Sequence, residues 1–287
     1  MATRVLQQII ESVPTSDGAG VKLRRSLGSR RDLRWDPFLM LDEFSSDNPN
    51  DYIAGFPPHP HRGFETATYL LEGHMLHQDH LGHRGDLNTG GVQWMTAGRG
   101  IVHSEMPQQT QGRLHGFQLW INLPAREKMK PASYRDILPA EIPLVPMAKG
   151  GQVKVIAGTL ILDKKPTPGP ILGLTTDPLY LDIQLPAGGN FSHPIDNDYN
   201  AFIYPYAGEI AIGPGNERRR VQAHNVGLLS PGDLIDVGAE GDARFLLLAG
   251  RPLKEPIVQH GPFVMNTREE IEQALRDFES GELTQVV

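Results

Sequence analysis

Cysteine is absent from the 287 residues, which excludes a disulfide framework, zinc held by thiolates and a thiol nucleophile. Long apolar runs are missing too: no window is apolar enough to span a bilayer, and the opening MATRVLQQIIESVP lacks the apolar stretch of a secretory leader. A cytoplasmic protein without a membrane partner is the expectation. Basic charge is in deficit, with 27 Lys and Arg against 34 Asp and Glu and a net charge of −7. That balance argues against direct nucleic-acid binding, because phosphate contacts need a concentrated basic face. The local exception is KLRRSLGSRRDLR, from Lys22 to Arg34, expected to be solvated strand and loop surface.

What is abundant is punctuation: 31 glycines and 24 prolines favour many short strands joined by turns over a helical bundle. FETATYLLEG (64–73) is rich in aromatic and β-branched residues and ends on a turn glycine. GFQLWINLP alternates, with Phe117, Leu119, Ile121 and Leu123 on one face and Gln118, Trp120 and Asn122 on the other. A Pro-studded passage, AREKMKPASYRDILPAEIPLVP, reads as a linker. Near the C-terminus, Thr267 and Glu270 stand in capping-box spacing ahead of Ile271, Leu275 and Phe278, which share one helical face. The expected organisation is an N-terminal barrel over 1–130, a linker over 131–150, a second barrel over 151–265 and a helix over 266–287.

The two strand-rich blocks read as repeats of one another. Aligning Gly73 with Gly208 sets Phe64 on Tyr199, Tyr69 on Tyr204, His59 on Pro194 and His61 on Asp196. A second alignment, Gly90 with Gly232, sets His103 on Phe245 and Glu105 on Leu247. On this reading the first copy carries four polar groups where the second carries Pro, Asp, Phe and Leu, so chemistry is expected in the first half alone.

Those four groups have metal-ligand character. Residues i and i+2 of a strand project from one face, about 6.5–7 Å apart. His59 and His61 therefore point together, as do His103 and Glu105. If the two strands are neighbours, three imidazoles and a carboxylate converge. Neutral nitrogens plus one hard oxygen suit a divalent first-row metal such as iron, manganese, nickel or copper, with open positions for water or substrate. A closed structural zinc site usually includes thiolates.

The stretches HPHRGFET, QWMTAGRGIVHSEMP, DPFLMLDEF and EPIVQHGPFVMNTREEI resemble the pirins, a branch of the cupin superfamily, and the resemblance runs from Arg24 to the C-terminal helix. It implies an all-β bicupin: two antiparallel β-barrels of jelly-roll type with a C-terminal α-helix, and one metal in the N-terminal barrel. The implied ligands are His59, His61, His103 and Glu105. The implied metal is Fe(II), with Mn, Ni, Cu and Zn as alternatives. General cupins instead take a carboxylate four residues after the second histidine, here Glu65. Strand parity leaves Glu65 open, and the resemblance favours Glu105.

Four more histidines follow at three-residue spacing. On strands, His77 and His83 share one face and His74 and His80 the other, so no four-histidine cluster is expected. His77 and His83 are read as hydrogen-bonding partners beneath the site or in the connecting turn, His74 and His80 as exposed.

Two functions follow from the resemblance. One is a dioxygenase of the quercetin 2,3-dioxygenase type, cleaving a flavonol or similar enediol-like aromatic with O2 and releasing carbon monoxide and a depside. Glu105 would be the base, Phe38, Met40, Phe56 and Trp94 would hold a flat substrate, and Arg62 would steer its oxygens. The other is a non-catalytic, metal- or redox-sensing regulator that binds a transcription factor or metabolic enzyme, for which the Lys22–Arg34 cluster is the candidate surface. A monomer is expected in either case.

Overall fold

The computed structural model describes residues 2–30 and 32–285. Its helical content is one α-helix and several single 3₁₀ turns; the rest is antiparallel strands and loops. The chain divides into two compact units that interleave in sequence. One comprises Pro14–Arg25, Phe38–Pro139 and the chain from Leu253 on; the other comprises the chain up to Val13, Ser26–Pro37 and Ala140–Pro252. The first strand, Leu6–Glu11, pairs with Asn225–Leu229 of the second unit. The stretch read as a linker supplies Ser133–Ile137 to the first unit, paired with Val92–Thr96, and Leu144–Pro146 to the second, paired with Gln152–Ala157.

Each unit is a jelly-roll built from a seven-stranded and a four-stranded antiparallel sheet. The hydrogen-bond ladder does not close into a continuous barrel, because tight turns carry the chain from one sheet to the other. Gly63 is such a corner. It has φ 91°, and a Cβ there would collide with the Val264 carbonyl, so only glycine suits it. The corner ends the strand Phe56–His61 and starts Phe64–Glu72, which is why counting parity from His61 to Glu65 decides nothing.

In the first unit the four-stranded sheet runs Phe56–His61, Ile101–Pro107, His74–Asp79, Arg84–Asn88. In the second the same order recurs as Asn190–Pro194, Leu234–Gly238, Glu209–Ile212, Arg219–Gln222. The repeat is real, but the second sequence alignment is corrected. Gly232 lies just before Leu234–Gly238, the counterpart of Ile101–Pro107, whereas Phe245 and Leu247 lie on Ala243–Gly250, a strand of the seven-stranded sheet. The counterpart of the HSE strand carries Ile235, Asp236 and Val237.

The strand Leu114–Asn122 is buried on both faces. Phe117, Leu119 and Ile121 are fully buried, and on the other face Trp120 and Asn122 are 8% and 1% exposed. Alternation therefore separates two kinds of buried surface here, one of which lines the site. The C-terminal helix Arg268–Ser280 has the expected capping box between Thr267 and Glu270. It buries Ile271 and Ala274, while Phe278 stays 44% exposed. Lys128, 1% exposed, ties the Gly63 corner to the strand Phe263–Met265 that precedes this helix: its Nζ donates to the carbonyls of Gly63 and Val264 and to Asn122 Oδ1.

Candidate metal centre

The strand Ile101–Pro107 lies between Phe56–His61 and His74–Asp79, so that His103 faces His59 on one side and Asp79 on the other. Pairing to Phe56–His61 shifts register between His103 and Glu105, a local bulge that re-aims the second side chain relative to the first. His59, His61 and His103 each offer a ligand nitrogen, all within 4.8 Å of one another. The ring centroids of His59 and His103 are 4.4 Å apart, those of His61 and His103 5.0 Å.

The nitrogens have the character a metal requires. His59 Nδ1 donates to the Pro57 carbonyl at 2.8 Å, which leaves Nε2 as a lone pair. Among the described residues, His103 Nε2 has no hydrogen-bond partner, and the ring nitrogens of His61 have no well-formed one, with the Pro262 carbonyl beside the ring. Buried imidazole nitrogens without partners are costly unless something else satisfies them. Burial is the first cause that holds His61 and His103 well below the usual histidine range, and the neighbouring imidazoles push the same way. Both are therefore neutral at pH 7, the form that ligates. The donor set fits a first-row divalent ion.

Glu105, 3% exposed, stands outside this triad. Its Oε1 accepts from Thr68 Oγ1 at 3.0 Å and its Oε2 from Gln118 Nε2 at 2.8 Å. Gln118 is oriented in turn, since its Oε1 accepts from the Trp120 indole at 3.1 Å, and an indole N–H only donates. Glu65 sits in a different set of contacts, bonded by Thr96 Oγ1 at 2.7 Å with Lys130 Nζ 3.6 Å away; burial raises its pKa.

The residues expected to hold a substrate scatter. Met40 belongs to an apolar cluster with Phe64 and Trp120, and those two rings lie 5.1 Å and 5.3 Å from the His61 ring. Phe38 is fully buried and Trp94 is 4% exposed. Phe56 packs with Val21, Leu23, Tyr52 and Leu70. Arg62 is engaged elsewhere: Nη1 pairs with Asp277 of the helix at 2.6 Å and Nε donates to the Arg99 carbonyl. Sequence reasoning did not single out Thr68, Gln118, Trp120 or Asp79 for the site. The shared parity of Gln118 and Trp120 was the available signal.

Of the later histidines, His77 is 1% exposed, and its Nδ1 lies 3.3 Å from His103 Nδ1. His83 Nδ1 bonds Asp79 Oδ2 at 2.8 Å. His74 pairs with Asp86 at the surface, at 3.1 Å, and His80 Nδ1 accepts from the Val102 amide. In the basic stretch Lys22 pairs with Asp51, Arg25 with Asp17 and Asp42, and Arg30 with Asp32; Arg31 lies outside the described residues.

Residues 20–121 match the family described as Pirin, and residues 180–284 the Pirin C-terminal cupin domain. A pirin-like protein of Caulobacter vibrioides is 50% identical over 281 residues, covering 98% of this chain and 99% of its own. Among solved structures, a quercetin 2,3-dioxygenase from Acinetobacter baumannii superposes with a TM-score of 0.89 at 31% identity, covering all of both chains. The bacterial pirin YhhW from Escherichia coli, in complex with nickel(II), gives a TM-score of 0.64 at 20% identity over 85% of this chain and 98% of its own.

Proposed function

Because the chain belongs to the pirin family, we propose that it is a mononuclear metal-dependent dioxygenase of the quercetin 2,3-dioxygenase type, acting with O2 on a flavonol or similar enediol-like aromatic. The observation that carries the reading is the convergence of His59, His61 and His103, with buried ring nitrogens of His61 and His103 lacking well-formed partners among the described residues. The name of the Acinetobacter relative supports the reaction class, and the nickel(II) complex of YhhW is a precedent for a metal in this fold. The metal we assign is Fe(II), with Mn, Ni, Cu or Zn able to take the same donors.

The three histidines would hold the ion, with Glu105 as the fourth, movable donor. Once bound, the metal supplies Lewis acidity and a template for adjacent substrate oxygens. The remaining work belongs to the chain. Glu105 is the base that takes the hydroxyl proton. Thr68 and Gln118 donate to its two oxygens and hold it as an aligned acceptor until substrate arrives. Phe64, Trp120 and Met40 form an apolar wall beside His61 that excludes water and suits a flat ring.

The regulator reading leaned on the basic patch, where Lys22, Arg25 and Arg30 are each matched by a carboxylate. The decisive assay is oxygen uptake by the iron-loaded protein with quercetin and a panel of flavonols. Uptake that disappears in a His59→Ala/His61→Ala variant, together with its metal, is the expected result. Stoichiometric metal without oxygen uptake on any flavonol would leave the regulator.

A further inference from the structure

His103 is the one member of the triad whose second nitrogen meets another imidazole. His103 Nδ1 and His77 Nδ1 are 3.3 Å apart in a buried setting, so one carries a proton and the other a lone pair. Behind His77, its Nε2 faces Asp79 Oδ2 at 3.7 Å, an electrostatic contact longer than a hydrogen bond and the nearest acceptor to an otherwise unpartnered nitrogen, both side chains being 1% exposed or less. The Asp79 carboxylate is fixed: Oδ1 accepts from the backbone amides of Leu81 and His83 at 2.9 and 3.0 Å, and Oδ2 faces His77 and His83. The plane of His77 is set by Tyr134, stacked on it at 4.5 Å and 19°, with its hydroxyl bonded to Asp136. Gly85 leaves the space for that, since a Cβ there would collide with the Tyr134 hydroxyl.

We propose that His77 and Asp79 are positioning residues for His103. Asp79 keeps the His77 proton on Nε2, so His77 Nδ1 is a lone pair that accepts the Nδ1 proton of His103. The one remaining nitrogen of His103, the partnerless Nε2, is then left as a lone pair for the metal. The inference rests on the metal reading above and extends it past the four expected ligands. A carboxylate and an imidazole in series fix which nitrogen of the ligand is available, as carboxylates behind metal-bound histidines generally do.

Asp79→Asn tests this, because the turn dictates how the new amide sits. Its oxygen must accept from Leu81 and His83, which places its NH2 toward His77 Nε2. His77 then carries its proton on Nδ1, and His103 is driven to the Nε2–H form that cannot ligate. Two readouts are taken: the His103 tautomer of the metal-free protein by long-range 15N–1H NMR of the imidazoles, and Co(II) affinity by competition titration. The unmodified protein should show the Nδ1–H tautomer. Asp79→Asn should invert it, weaken Co(II) binding about 10–100-fold and leave the metal-free melting temperature unchanged. His77→Phe, which keeps the stack on Tyr134, should weaken Co(II) comparably. His77→Gln, which restores an acceptor, should recover part of the loss, and His74→Ala on the same strand should have no effect. An Nε2–H tautomer in the unmodified protein, or unchanged tautomer and affinity in Asp79→Asn and His77→Phe, would overturn the proposal. The expected tautomers in a protein that binds no Co(II) would uphold the positioning and sink the metal reading alone.

Discussion

Gln118 Nε2 donates to Glu105 Oε2 at 2.8 Å while its own Oε1 accepts from Trp120 Nε1 at 3.1 Å. The indole fixes the amide, and the amide fixes the carboxylate. Gln118→Leu removes a hydrogen bond to a charged group, an interaction of about 1.5–3 kcal/mol. Steady-state oxygen uptake with a flavonol should fall by roughly tenfold or more, with metal content unchanged. Equal rates in the two proteins would show that Glu105 needs no such alignment.

Glu105→Gln separates ligand from base. The three histidines remain, so metal measured by elemental analysis should be retained. Proton transfer by a positioned side chain is worth about 10²–10⁴-fold, and kcat should drop by that order. A full oxygenation rate in this variant would remove Glu105 from the chemistry.

Arg62→Met distinguishes a structural arginine from one that steers substrate. The side chains of Arg62 and Asp277 are 5% and 14% exposed, and breaking the pair leaves the Asp277 carboxylate with Gln273 Nε2 as its remaining hydrogen-bond donor. We expect destabilisation of about 3 kcal/mol in urea unfolding and an unchanged KM for flavonol. A raised KM at unchanged stability would restore the steering role.

His193 gives a pH signature. It is 3% exposed, its Nε2 accepts from the Ile161 amide at 2.9 Å, and burial lowers its pKa from 6.5 to about 4. Between those values the unfolded chain binds a proton that the folded chain refuses. This contribution is therefore intact above pH 6.5 and lost as pH falls toward 4, by about 3 kcal/mol in total. Urea titrations at stepped pH should show a shallower acid slope in His193→Gln, which keeps an acceptor without the titration. Identical slopes would mean that His193 protonates freely in the folded protein.

The sequence by itself determined the strand-rich class, the doubled architecture and the capped C-terminal helix, and it placed His59 beside His61, because these depend on short-range periods: two residues for strands, 3.6 for helices, glycine at sharp corners. It also indicated that His74, His77, His80 and His83 form no common cluster. Strand pairing decided the rest. The strand Ile101–Pro107 lies between the HPH strand and the one bearing His77, and no local pattern encodes that order. The same pairing put His77 behind His103 and Gln118 and Thr68 on Glu105, while the docking of the C-terminal helix put Asp277 on the Arg62 guanidinium. It also moved the counterpart of the HSE strand to Leu234–Gly238, since a gapped repeat of low identity aligns at whichever glycine is chosen, whereas hydrogen-bond register admits one partner. Parity from His61 to Glu65 failed for a related reason: Gly63 turns the chain between sheets, and a period of two does not survive a corner.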